Sequence, residues 1–208
     1  MSEVTRYIAY DTETGGLDPR ETDLLTAYFA ILDETLTPVA ELDLKLKPGP
    51  LDPKDGPSKD RPYRVTAGAL GVNRINLLSH NVDAIPYAEG AKQLERLITN
   101  YKPEGRWGKL IPIGHNVPFD DGFVQEYLLK KADWEKCVDY RKVDTCVVAN
   151  FLKLCGRLNV KSVALESLCE YFKFPSVGAA HNAKNDTIST IMVLRELRKI
   201  VGGQQLAA

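Results

Sequence analysis

Asp11 and Glu13 stand two residues apart in the segment RYIAYDTE, whose β-branched and aromatic content reads as a strand. Residues i and i+2 of a strand point to one face, so the two carboxylates would lie side by side. Their repulsion, and the cost of burying them together, is relieved by a cation between them; hard oxygen donors suit magnesium or manganese. Taken alone, an acid pair of this kind is a weak signal and reads by default as an exposed strand end.

A second acidic group lies in His115-Asn116-Val117-Pro118-Phe119-Asp120-Asp121-Gly122-Phe123. Acids in the first turn of a helix are favoured by its dipole, which accounts for both Asp120 and Asp121 without any chemistry. A functional role needs one of them to face the first pair, and spacing does not choose which. The third group is His181 to Asp186, HNAKND. At roughly 100° per residue, the two side chains would stand about 140° apart on one helix. They can share a site only if His181 lies in the loop before the helix. Gly178-Ala179-Ala180 offers that approach, and Asn182 is a credible N-cap.

The elements that must position these groups follow from the pattern. The first strand spans Arg6 to Glu13 and is stopped by Gly15-Gly16. Leu24 to Leu32 and Val39 to Leu46 read as two further strands joined by a turn at Asp33-Glu34, which makes an antiparallel meander. Residues 47–65 are rich in Pro, Lys, Asp and Gly and read as a long charged surface loop. Helices are expected at Thr66 to Gly71, Tyr87 to Tyr101, Pro118 to Lys131, Asp144 to Leu154 and Ser162 to Phe172, with Asp144 and Ser162 as N-caps. A last long helix starts near Asn182 and ends at Gly202-Gly203. A short buried strand is expected at Lys109 to Gly114, and residues 203–208 as a frayed tail.

The chain has 208 residues, 44% of them hydrophobic and 26% charged, which suits a single domain over residues 1–208. No stretch nears the roughly 20 apolar residues of a membrane span, so a cytoplasmic protein is expected. Cys137, Cys146, Cys155 and Cys169 are too scattered for a zinc signature and read as free thiols. A net charge of −1 is not that of a protein that holds nucleic acid by a global basic field. If nucleic acid is the substrate, metal cations must supply much of the neutralisation.

Together the three groups resemble the DEDDh, or DnaQ-like, 3′→5′ exonucleases. Asp11-Thr12-Glu13-Thr14-Gly15-Gly16-Leu17 is similar to that family's first motif, DxETxGL, with Gly15-Gly16 where the family commonly has Thr-Gly. His115 to Phe123 resembles the second, HNxxFDxxF, which singles out Asp120 and leaves Asp121 as a solvated neighbour. His181 to Asp186 resembles the third, HxAxxD, with His at the spacing of the His subclass. Val72-Asn73-Arg74-Ile75 resembles a VNxI segment of many bacterial and phage members.

The resemblance implies an RNase H-like α/β fold: a central mixed five-stranded sheet, antiparallel meander plus parallel strands, flanked by helices. It implies a 3′→5′ exonuclease that trims single-stranded nucleic acid, DNA before RNA, and releases nucleoside 5′-monophosphates. An exoribonuclease, oligoribonuclease-like or tRNA-trimming, and a non-catalytic nucleic-acid-binding module are the alternatives. Two divalent ions, Mg2+ or Mn2+, are expected on Asp11, Glu13, Asp120 and Asp186, with His181 as general base. Thr12, Thr14, Leu17, Asn116 and Phe119 match positions that hold the terminal nucleotides. Proofreading and DNA-repair relatives bring a polymerase or repair partner, and part of the family dimerises. Asp144-Thr145 also recurs near this position in relatives, but helix capping explains it better. Finally, Lys45, Lys47, Lys54, Lys59, Arg61 and Arg64 cluster around the long loop, and the expectation is that they track the phosphate backbone upstream of the cleaved end.

Overall fold

In the computed structural model, residues 6–49, 60–105, 108–175 and 181–202 are described. The first strand, β1 (Tyr7–Thr14), carries Ile8 and Tyr10 on one face and Ala9 on the other, all buried, so both faces of the sheet must be covered. It pairs antiparallel with β2 (Leu24–Leu32), which pairs antiparallel with β3 (Pro38–Lys47). The Asp33 carboxylate accepts from the backbone N–H groups of Thr35 and Thr37 and closes the β2–β3 turn.

Three further strands run parallel to their neighbours. β4 (Ile85–Pro86) joins the free edge of β3, β5 (Ile111–Gly114) joins β1, and β6 (Val143–Asp144) joins β5. The sheet therefore has six strands in the order β4-β3-β2-β1-β5-β6, not the five expected. β4 and β6 are two residues each and too short to show any period in the sequence.

The helices are α1 (Ala67–Asn73), α2 (Leu77–Asp83), α3 (Tyr87–Tyr101), α4 (Val117–Tyr127), α5 (Lys131–Cys137), α6 (Thr145–Leu154), α7 (Leu165–Tyr171) and α8 (Ala183–Val201). On one sheet face, Leu94 and Ile98 of α3 and Phe123 and Val124 of α4 pack against Ile8, Tyr10, Phe29 and Leu44. On the other, Ala183, Ile191 and Leu194 of α8 pack against Ala9, Tyr28 and Ala30. The opposite side of α8 closes a third cluster with α6 and α7, through Val193, Leu197, Ala149 and Leu168. Among the described residues no helix is long and apolar enough to cross a membrane.

Several boundaries differ from those read in the sequence. The segment read as one helix from Pro118 to Lys131 is two, because α4 ends at Tyr127 and α5 begins at Lys131. Helix α2, capped by the Asn76 side chain, was not anticipated. Ser162 is not the cap of α7: its hydroxyl accepts from the N–H of Ala164, two residues on, and Ala164 stands at the N-cap. The expected tail at 203–208 lies outside the described residues, as do Lys54 and Lys59 of the long loop.

Candidate active site

The first motif ends β1 at a bulge between Glu13 and Thr14, where the register with β2 shifts. Beyond it the chain turns through Gly15 and Gly16. A Cβ at Gly15 would lie 2.4 Å from the Arg64 carbonyl oxygen, so only glycine lets the approaching segment close down here. That segment is tied on by Thr66 N–H donating to Gly15 O at 2.7 Å and Asp23 N–H donating to Arg64 O at 2.9 Å. The buried Asn73 side chain, the Asn of the VNxI segment, donates to Thr14 O at 3.0 Å. Helix α1 is thereby fixed as one wall of a cleft of about 750 Å3.

Asp11, Glu13, Asp120, His181 and Asp186 all line that cleft. Oxygens of Asp11, Glu13 and Asp186 lie within 4.8 Å of one another, the only such group able to hold a metal ion among the described residues. The geometry follows from the fold: Asp11 and Glu13 share the β1 face that α8 covers, and Asp186 sits in the first turn of α8.

Asp120 reaches the cleft from the first turn of α4. Its Oδ1 accepts from Thr12 N–H at 2.9 Å and from the Thr12 hydroxyl at 2.7 Å. Asp121 turns the other way and is not solvated, contrary to expectation. It is 5% exposed, accepts from the Tyr10 hydroxyl and is ion-paired with Lys142.

Crowding of acids shows in their titration. Burial, then the neighbouring Asp120, Glu13 and Asp186, hold the Asp11 carboxyl well above the usual carboxylate range. Burial, then Asp186 and Asp120, push Glu13 up to about 8. Burial raises Asp120 to about 7 against the opposing hydrogen bonds from Thr12. Asp186 is raised by burial, opposed by the charge and backbone N–H of His181.

His181 stands in the loop before α8, as its spacing required. It has a left-handed backbone (φ 59°) and an exposed side chain, and Asn182 caps the helix by accepting from Asn185 N–H. His115, to which no role was assigned from its motif, lines the cleft too. Burial lowers its pKa, and its Nδ1 is 2.9 Å from the Thr145 hydroxyl.

The residues expected to hold substrate divide. Leu17 is 86% exposed at the cleft lip, which excludes ordinary core packing. Phe119 is half-buried, lines the cleft and also packs on the core beside Phe123. Thr12 and Thr14 line the cleft but are engaged within the protein, Thr12 with Asp120 and the Thr14 hydroxyl with Gly16 O. Asn116 has a left-handed backbone (φ 67°) whose N–H donates to Asp144, and it is not among the residues lining the cleft.

Asp144 caps more than was expected. Its carboxylate accepts from Cys146 N–H and Val147 N–H of α6 and also from Asn116 N–H and Val117 N–H at the start of α4. The described cations around the long loop are paired: Lys45 with Asp83, Lys47 with Asp60, and Arg61 and Arg64 with the fully buried Asp23. Among the described residues, the Lys47–Asp60 pair and the Arg61 and Arg64 pairs with Asp23 tie the end of the loop to β3 and to the start of β2.

A mixed sheet in this strand order, flanked by helices and with an acidic cluster at the end of β1, defines an RNase H-like α/β fold. Solved structures share it. Escherichia coli exonuclease I in complex with a dT13 oligonucleotide superposes with a TM-score of 0.72 at 18% identity, over 96% of this chain and 42% of that one. The moderately thermophilic exonuclease I of Methylocaldum szegediense gives a TM-score of 0.69 at 19% identity, over 94% and 40%. The zinc-ion-bound complex of Escherichia coli exonuclease I with single-stranded DNA gives 0.69 at 20%, over 94% and 40%. This chain thus spans about two fifths of the length of those proteins. No family model matches the chain, and no curated protein matches its sequence.

Proposed function

We propose that this chain is a metal-dependent 3′→5′ exonuclease that removes nucleotides from the 3′ end of single-stranded DNA as 5′-monophosphates. The observation that carries the reading is the convergence of Asp11, Glu13 and Asp186 within 4.8 Å in a cleft that also holds Asp120 and His181. The shared fold with exonuclease I, whose structures include complexes with single-stranded DNA, supports it.

The donor set fits divalent cations. Every ligand atom is a hard carboxylate oxygen, and Asp11 and Glu13 are raised by burial and by neighbouring acids, a conflict that a bound cation would relieve. Asp11, Glu13 and Asp186 would hold one ion; Asp11 and the Asp120 oxygen left free by Thr12 would hold a second. Magnesium or manganese bound there supplies the charge that activates a water and stabilises the leaving 3′-oxygen.

The chain's own residues supply the rest. An imidazole nitrogen of His181, free to swing on its exposed loop position, takes the proton of the attacking water. Leu17 offers an apolar edge at the lip against which the last bases can stack or part. Among the described residues the cleft is lined by several acids and by no lysine or arginine, so bound cations are needed for it to accept phosphates.

Digestion of a 5′-labelled single strand tests the reading. A ladder that shortens one nucleotide at a time, with 5′-monophosphates as product, is expected. Immediate release of the label as a mononucleotide would show the opposite polarity. Internal fragments without a ladder would show an endonuclease. Matched RNA in the same assay decides the sugar.

A further inference from the structure

Asp120, in the first turn of α4, and Asp121, which follows it, point about 100° apart. Tyr10 and Thr12 lie on one face of β1. The two acids therefore dock on the two β1 residues as a pair, Asp120 on Thr12 and Asp121 on the Tyr10 hydroxyl. The Tyr10 ring is itself fixed edge-on against Trp134, with centroids 5.6 Å apart. The second Asp121 oxygen is held by Lys142, whose side chain is 28% exposed. Two residues on, Asp144 grips the backbone N–H groups of Asn116 and Val117. The turn that carries Asp120 is thus clamped by β1 on one side and by β6 and the residue before it on the other.

We infer that Asp121 and Lys142 are positioning residues, with Tyr10 as their anchor, and that they set where the cleft-facing oxygen of Asp120 stands. The inference rests on the two-metal reading of the site. Asp121 does not touch the cleft; it is absent from the residues that line it. The Tyr10 ring belongs to the core, but core packing does not call for its hydroxyl, the Asp121 carboxylate and the Lys142 ammonium: the three polar groups are gathered directly behind an acidic site where apolar side chains would pack at lower cost. Groups that orient ligands in this way are usually worth 10–100-fold in metal affinity or activity.

Manganese binding, measured by the loss of the free-ion electron paramagnetic resonance signal, reads the inference without any substrate. Asp121→Asn keeps an acceptor for Tyr10 and loses the ion pair. Lys142→Met leaves the carboxylate without its cation, Lys142→Arg restores one, and Tyr10→Phe removes only the hydroxyl. Asp121→Asn and Lys142→Met should weaken the second manganese by about tenfold or more. At fixed metal, kcat should fall in step, with KM for the strand within about twofold. Lys142→Arg should return most of the affinity, and Tyr10→Phe should fall between. Wild-type manganese affinity and kcat in both Asp121→Asn and Lys142→Met, even with a lowered Tm, would overturn the inference and leave the cluster a fold determinant. A wild-type protein that binds two manganese ions but trims no strand would instead overturn the exonuclease reading while leaving the positioning inference open to the binding data.

Discussion

Replacing Glu13 by Gln should make the metal-free protein more stable, by an amount that depends on pH. Glu13 is 9% exposed, and burial with Asp186 and Asp120 raises its carboxyl from 4.5 to about 8. A carboxyl raised in the folded state favours folding least where the unfolded chain would ionise it. Its contribution is fully present below the unfolded value of 4.5 and is lost as pH rises toward the folded value of about 8. At pH 7 the unfolded group lies about 2.5 pH units above its midpoint while the folded one still holds its proton. At about 1.4 kcal/mol per pH unit, this costs the native state about 3 kcal/mol. At pH 5 the same reckoning gives less than about 1 kcal/mol. Gln is neutral at both values and is spared the cost, so Glu13→Gln should gain about 3 kcal/mol at pH 7 and little at pH 5. In a chain of this size that is a rise in Tm of about 6–12 °C. Thermal unfolding in EDTA at the two pH values reads it directly, and excess manganese should reverse the order by stabilising only the wild type. A variant no more stable than wild type at pH 7, or one equally stabilised at both pH values, would refute the reasoning: the carboxylates would then not be in electrostatic conflict.

Other perturbations probe the scaffold and the lip. Asp23→Ala leaves Arg61 and Arg64 without their shared, fully buried partner and should cost about 3–5 kcal/mol in urea unfolding. Gly15→Ala puts a methyl into the Arg64 carbonyl, which is backbone and cannot swing away, and should cost about 1–3 kcal/mol by the same measurement. Leu17→Ala removes a side chain that is 86% exposed; unfolding free energy should stay within about 0.5 kcal/mol of wild type while KM for a single strand rises.

Much of this architecture was legible in the residues. The strand at β1 and the long helix α3 announce themselves by composition and period, and the requirement that His181 leave its helix follows from the angle between it and Asp186. The structure meets that requirement with a left-handed residue followed by an Asn cap. What was not legible depends on contacts distant in sequence. Nothing local distinguishes Asp120 from Asp121, since both suit a helix start. Motif register picks Asp120, and the physical sorting comes from Thr12 and Tyr10, more than 100 residues away, which also explain why Asp121 is buried and paired and not solvated. The same holds around the long loop: the pairing of Lys45, Lys47, Arg61 and Arg64 with Asp83, Asp60 and Asp23 is set by the fold and not by neighbours in sequence. Ser162 has the right chemistry for a cap, but α7 starts two residues later, after Ala164. Short β4 and β6 exist because an edge is available to pair with, and no two-residue segment carries that information.

The most direct test of the site is hydrolysis of a 5′-labelled single-stranded oligonucleotide as a function of manganese concentration, run side by side for wild type and Asp186→Asn. Asp186 is the residue through which α8 completes the cluster begun by Asp11 and Glu13. Wild type should show no trimming in EDTA and saturable stepwise trimming with added metal, and Asp186→Asn should retain less than about a thousandth of that rate while staying folded. Trimming that persists in EDTA, or a folded Asp186→Asn with the wild-type metal response, would contradict the assignment of this cluster as the catalytic metal site.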